Sequence, residues 1–127
     1  MIKEMATIKS LEELQVWKHS RELVNEVYRG LDGCDDHAFR DQICRSAISV
    51  MNNIAEGFER NGNREFIQFL KISKGSGGKL KSMLYLGEDL GYFDKETASK
   101  LRNDIDKIIF KTGGLIKHLK QFKTRKI

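Results

Sequence analysis

Proline is absent from this 127-residue chain. With no residue that removes a backbone donor, long uninterrupted helices are open to it. Nowhere do β-branched residues alternate with polar ones at length, so strands are not expected. No apolar run approaches the roughly 18 residues that cross a bilayer, and MIKEMATIKS lacks the apolar centre of a secretory signal. Two cysteines, Cys34 in a loop and Cys44 in a helix, are too few for a disulfide framework. They read as free thiols of a cytoplasmic protein. His19, His37 and His118 stand alone, without the spacing of metal ligands, and the cysteines make no CxxC. No metal or other cofactor is expected.

Apolar residues make up 39% of the chain and charged residues 32%, which fits one globular domain with a well-solvated surface. Residues 1–9 read as a flexible start, 10–122 as the domain and 123–127 as a basic tail. The +5 net charge is unevenly placed: 8 Lys/Arg face 11 Asp/Glu in residues 1–63, and 15 face 7 in residues 64–127. Either the second half meets an anionic partner, or the halves neutralise each other within the fold or across an oligomer.

Helical periodicity is the main signal. Ser10 opens S-L-E-E, a capping box with Glu13, and a first helix follows over about 11–31. Its expected inner face is Leu14, Trp17, Val24, Tyr28 and Leu31, joined by Leu23 and Val27, with Trp17 as a core anchor. Gly30 and Gly33 mark its end. Asp35-Asp36 caps a second helix reaching about Arg60, striped by Ile43, Ala47, Val50, Ile54 and Phe58. Asn53 and Glu56 interrupt that stripe and are expected to tie it to a neighbour by buried hydrogen bonds. After Asn61-Gly62-Asn63, with Asn63 as cap, a third helix spans about 64–90. Lys74-Gly75-Ser76-Gly77-Gly78-Lys79 would read as a loop alone, since each glycine costs a helix about 1 kcal/mol. The apolar period runs through it in phase to Leu80 and Leu84, so one helix is kept. Asp94 caps a fourth helix, striped from Ala98 to Phe122. Short connections between four amphipathic helices predict an all-α, antiparallel up-down four-helix bundle. Small residues at 73, 75–78, 87, 113 and 114 leave grooves for helices of another subunit, so a homo-oligomer is expected.

Catalytic patterns fail. Lys-Gly-Ser-Gly-Gly-Lys lacks the first glycine of a phosphate loop, because position 73 is serine, and no strand precedes it. Asp104 and Asp106 lie on different sides of a helix. The chain therefore reads as a non-enzyme. Basic residues remain: Lys100, Lys107 and Lys111 share one helix face, Lys74 and Lys81 another, and Lys71, Lys117, Lys120, Lys123, Arg125 and Lys126 extend the charge. Such patches bind RNA or DNA through backbone phosphates. A merely solvated face accounts for the same lysines, and Tyr85 and Phe110 are too scattered to be read as a stacking array.

Leu14-Gln15-Val16-Trp17-Lys18, Gln42-Ile43, Arg45, Asn53-Ile54-Ala55-Glu56-Gly57, Glu65-Phe66, Phe69-Leu70, Gly75-Ser76, Leu84 and Leu90-Gly91-Tyr92 stand in a recognisable order. Over about residues 10–120 the sequence resembles the four-helix bundle proteins encoded in intervening sequences of bacterial 23S ribosomal RNA genes. That resemblance implies structural roles for Trp17, Arg45, Asn53, Glu56, Gly57, Gly75 and Ser76, and a homopentameric ring. A related branch, the accessory variability determinants of diversity-generating retroelements, forms a similar basic barrel that binds nucleic acid and a reverse transcriptase. Only its architecture carries over, since none of its motif residues matches here. Ser20 and Ser73 replace common alanines of the family, and Lys79 stands where an acid is usual.

Overall fold

The computed structural model describes residues 8–121. Four α-helices form: α1 Gln15–Gly30, α2 His37–Phe58, α3 Asn63–Asp89 and α4 Lys95–Leu119, with no strand among the described residues. Each helix packs on the next in sequence, and α4 closes on α1. Partners on α2 and α3 run in opposite order. Gly57 meets Phe66 and Phe69, the Val50 carbonyl accepts from the Ser73 hydroxyl at 2.8 Å, and Phe39 reaches Gly87.

The third helix is continuous through its glycines, as the unbroken apolar period predicts. Within the glycine-rich run, Gly77 closes a helix contact: a Cβ there would lie 2.9 Å from Ile109 of α4. Gly75, Gly78 and Gly114 have open space beside them instead. A left-handed φ of +78° at Gly91 lets the chain leave α3, and the Tyr92 amide returns to the Gly87 carbonyl at 2.8 Å.

Three expectations need correction. The start of the first helix is a separate single turn, Leu11–Glu13, because Leu14 is extended. Glu13 still reaches back, accepting the Lys9 and Ser10 amides at 2.8 and 3.2 Å. Of the expected inner face of α1, Leu14, Leu23, Val27 and Leu31 are buried, but Val16 and Ser20 fill the rest of the row in place of Trp17 and Tyr28. Ser20 can sit there because its hydroxyl donates to the Val16 carbonyl at 2.6 Å. Trp17 is therefore at the core's margin, half-buried beneath the Arg21 guanidinium, and Tyr28 is 41% exposed. At the other end, Gly30 and Gly33 mark the end of α1 as expected: Gly30 is its last residue and packs on Phe93, and Gly33 takes a left-handed φ of +82°. Asn63 is the first residue of α3 rather than its cap; it is buried, and its amide donates to the Leu119 carbonyl at 3.4 Å.

Asp36 caps α2 as expected, accepting the Phe39 amide at 3.0 Å, and its other oxygen accepts from the Tyr92 hydroxyl at 2.6 Å. The tyrosine bond, helped by the Phe39 amide, holds the Asp36 carboxyl below its usual range. The same bond is the largest cause pushing Tyr92 from its ordinary 10 up to about 12. Asp36 thus adds stability above the ordinary carboxylate value, lost as pH falls through its lowered one. Tyr92 adds stability below pH 10, lost as pH rises toward 12. Tyr92→Phe is expected to weaken the fold at neutral pH and to flatten its decline between pH 10 and 12. Urea midpoints across pH for both proteins check this, and parallel alkaline limbs would refute it.

Candidate nucleic-acid interface

The outward faces of α3 and α4 carry the basic residues, and the fold sorts them into two kinds. Lys100 is engaged: its amine donates to Glu26 of α1 at 2.9 Å and to Asp104 at 2.8 Å. Those bonds, to Asp104 first and then Glu26, raise its pKa. Lys81 pairs with Asp106 at 2.9 Å, which raises its pKa too. Arg102, with its side chain only 15% exposed, pairs with Glu88 at 2.7 Å and covers the Tyr85 ring at 4.1 Å.

Lys71, Lys74, Lys107, Lys111, Lys117 and Lys120 form no ion pair among the described residues. Lys71, Lys107, Lys117 and Lys120 are exposed, and Lys74 and Lys111 half-exposed. Lys74 crosses to α4, its Nζ 3.4 Å from where a Cβ on Gly113 would stand. Lys107 and Lys111 border a groove of about 310 Å³ between α1 and α4, together with Lys100, Glu22, Glu26 and Asp104. Three cations there face three carboxylates, so attraction for a polyanion has to come from the rim lysines and from α3. Lys123, Arg125 and Lys126 lie outside the described residues, as does Phe122.

The residues singled out by resemblance part company. Gly57 is buried, roofed by Phe66 and Phe69. Ser76 bonds Ser49 of α2 at 2.7 Å. Asn53 is half-buried and donates within its own helix, to the Ser49 carbonyl at 2.9 Å and hydroxyl at 3.0 Å. Its tie to α3 therefore runs through Ser49, which the sequence pattern does not single out. Glu56 turns outward, its side chain 55% exposed, and pairs with Arg60 at 2.8 Å. Three residues of helix turn through about 300°, so Glu56 lies roughly 60° round from Asn53 and away from the buried row. The expected buried bond from Glu56 to a neighbouring helix does not form. Arg45 is exposed, without an ion pair among the described residues. Gly75 has nothing within 4 Å.

No group of three or more His, Cys, Asp or Glu able to hold a metal occurs among the described residues. No helix among them is long and apolar enough to cross a membrane. Both cysteines are free thiols, and burial pushes the Cys44 thiol up.

Fold and surface define an all-α bundle protein with a basic face on its third and fourth helices. The chain belongs to the 23S rRNA-intervening sequence protein family, whose model matches residues 12–114. Among solved structures it is similar to a protein of unknown function of the S23 ribosomal protein family from Bacteroides thetaiotaomicron, at 24% identity and a TM-score of 0.75. The match covers 80% of this chain and 98% of that one, and it speaks for the shared fold. No curated protein gives a significant match.

Proposed function

We propose that this chain is a non-enzymatic scaffold of the cytoplasm, an antiparallel up-down bundle that assembles into a pentameric ring and binds nucleic acid, RNA foremost, through backbone phosphates. The observation that carries this reading is the set of lysines on α3 and α4 left without carboxylate partners among the described residues, Lys74, Lys107 and Lys111 among them. Phosphates satisfy such cations without regard to base sequence. A ring would repeat the set around its axis and turn weak contacts into avidity. A reverse transcriptase acting on the same RNA is the protein partner this reading names.

Self-association has its own support. Gly75 and Gly78 are exposed in mid-helix with open space around them, beside Ile72 at 52% exposure and Leu86 at 45%. Each such glycine costs α3 about 1 kcal/mol unless something packs against it, and a second copy would fit there. That same face favours the second reading, a structural or protein-interaction ring with no nucleic-acid role.

Labelled RNA and DNA titrated at about 50 and 200 mM salt separate the two readings. Affinity is expected to fall about tenfold or more over that range. Lys74→Glu/Lys107→Glu/Lys111→Glu is expected to abolish most binding while leaving the urea midpoint in place, since none of the three is buried. Lys100, held by Glu26 and Asp104, contributes less, so Lys100→Gln is expected to change affinity little. Light scattering on the same samples gives the mass against the 14.6 kDa chain. A ring that binds nothing at the lower salt would leave the structural reading standing.

A further inference from the structure

We propose that Phe110 is a base-stacking platform and that the nucleic acid taken by this surface is single-stranded. This rests on the phosphate-binding reading above and narrows its ligand. Phe110 is 83% exposed, while no other large hydrophobic residue described exceeds 52%. It sits in the middle of α4, where the helix holds it outward. A helical side chain leans back over the preceding turn, so the residue at i+4 would normally cover this ring. Position 114 is a glycine and supplies no side chain, an added Cβ there would meet nothing within 4 Å, and the Phe110 ring stays exposed.

Cations lie near it along the helix. Lys107 is three residues before Phe110 and Lys111 follows it, both without a carboxylate partner among the described residues. From the α3 side, Lys74 lies over Gly113, on the next turn of α4. The nearest acid along the helix, Asp106, is already bound to Lys81 at 2.9 Å. Tyr85 offers no equal platform, because the Arg102 guanidinium occupies its face at 4.1 Å. An exposed apolar ring on a helix that also carries unpaired lysines is complementary to an unstacked base with phosphates on either side. In a duplex the base faces are hidden by stacking, so the ring has none to stack on.

The test uses fluorescently labelled 12-nucleotide single strands and the matching duplex at about 50 mM salt, where phosphate contacts are strong. Phe110→Leu keeps the apolar bulk and removes the ring. It is expected to weaken single-strand binding by about 5- to 150-fold, the range measured for one lost base stack, and to leave duplex binding unchanged. Phe110→Trp is expected to retain or strengthen single-strand binding. An equal loss for both ligands, or no loss for either, would overturn the platform while the lysine variants still judge the phosphate reading. A fall in particle mass for Phe110→Leu would mark the ring as an anchor for another copy and also overturn it. Failure of the wild-type protein to bind either ligand removes both readings together.

Discussion

Phe66→Ala is expected to cost about 3–5 kcal/mol, the range for emptying a buried aromatic site. Phe66 is fully buried at the start of α3, and its ring stands edge-on to Phe58 at 6.0 Å. It also roofs Gly57, where an added Cβ would come within 2.9 Å of the Phe66 ring and 2.8 Å of the Phe69 Cβ. The Phe66 carbonyl, 3.2 Å from the same point, is backbone and cannot swing away. Gly57→Ala gains about 1 kcal/mol of helix propensity, yet overpacking of this kind costs about 1–3 kcal/mol and occasionally more, so a net loss is expected. The two substitutions should not add. With the ring gone, the clash of the Gly57→Ala methyl with Phe66 Cδ1 is relieved while those with Phe69 Cβ and the Phe66 carbonyl stay, and a coupling of about 0.5–1 kcal/mol is expected. Urea unfolding of both singles and the double measures it. Additivity within about 0.3 kcal/mol would mean that the Phe66 ring is not what crowds Gly57.

How much of this was legible beforehand depended on whether the deciding interaction was local. The caps at Asp36 and Asp94 each accept an amide three residues on, so sequence spacing finds them. The unbroken α3 was legible because Leu80 and Leu84 stay in phase with Leu70 across the glycines. On α1 the sequence pattern found Leu14, Leu23, Val27 and Leu31 as inner residues, but not which neighbours complete the row. Trp17 and Tyr28 look like core residues and Ser20 does not, but the serine meets its need four residues back at Val16, and the aromatic residues tolerate a half-wet margin. Asn63 shows the same limit, since a residue suited to capping is spent instead on the Leu119 carbonyl, 56 residues away.

The candidate site follows that rule. Helical spacing placed Lys100, Lys107 and Lys111 on one face, and Lys100–Asp104 was readable as an i,i+4 pair. The partner that most separates Lys100 from its neighbours is Glu26, 74 residues away in sequence. Only packing of α1 on α4 shows that one member of the trio is engaged while the others are not. Phe110 lay visibly off the apolar stripe, but that it stands so much more exposed than the other large hydrophobic residues described is a matter of packing, which no spacing states.

Phe93→Ala is expected to match Phe66→Ala, at about 3–5 kcal/mol, although Phe93 lies in the connection between α3 and α4. It is 3% exposed there. Its ring fills a slot between two helices: a Cβ on Gly30 at the end of α1 would lie 2.7 Å from Cε1, and one on Gly87 of α3 would lie 2.7 Å from Cδ2. Phe39 closes the Gly87 side, with Cζ 3.0 Å from the same added atom. An exposed ring would swing clear of one new methyl, but this one cannot move from Gly30 without pressing on Gly87. Gly30→Ala and Gly87→Ala are each expected to cost about 1–3 kcal/mol, and both together more than their sum, because each takes the other's escape route. In a Phe93→Ala background the slot is empty, and both alanines should cost little or raise stability through helix propensity, about 1 kcal/mol for each glycine replaced. Denaturant midpoints for the single and combined variants read the pattern directly. If Gly30→Ala and Gly87→Ala are as costly without the Phe93 ring as with it, the ring is not what the two glycines accommodate.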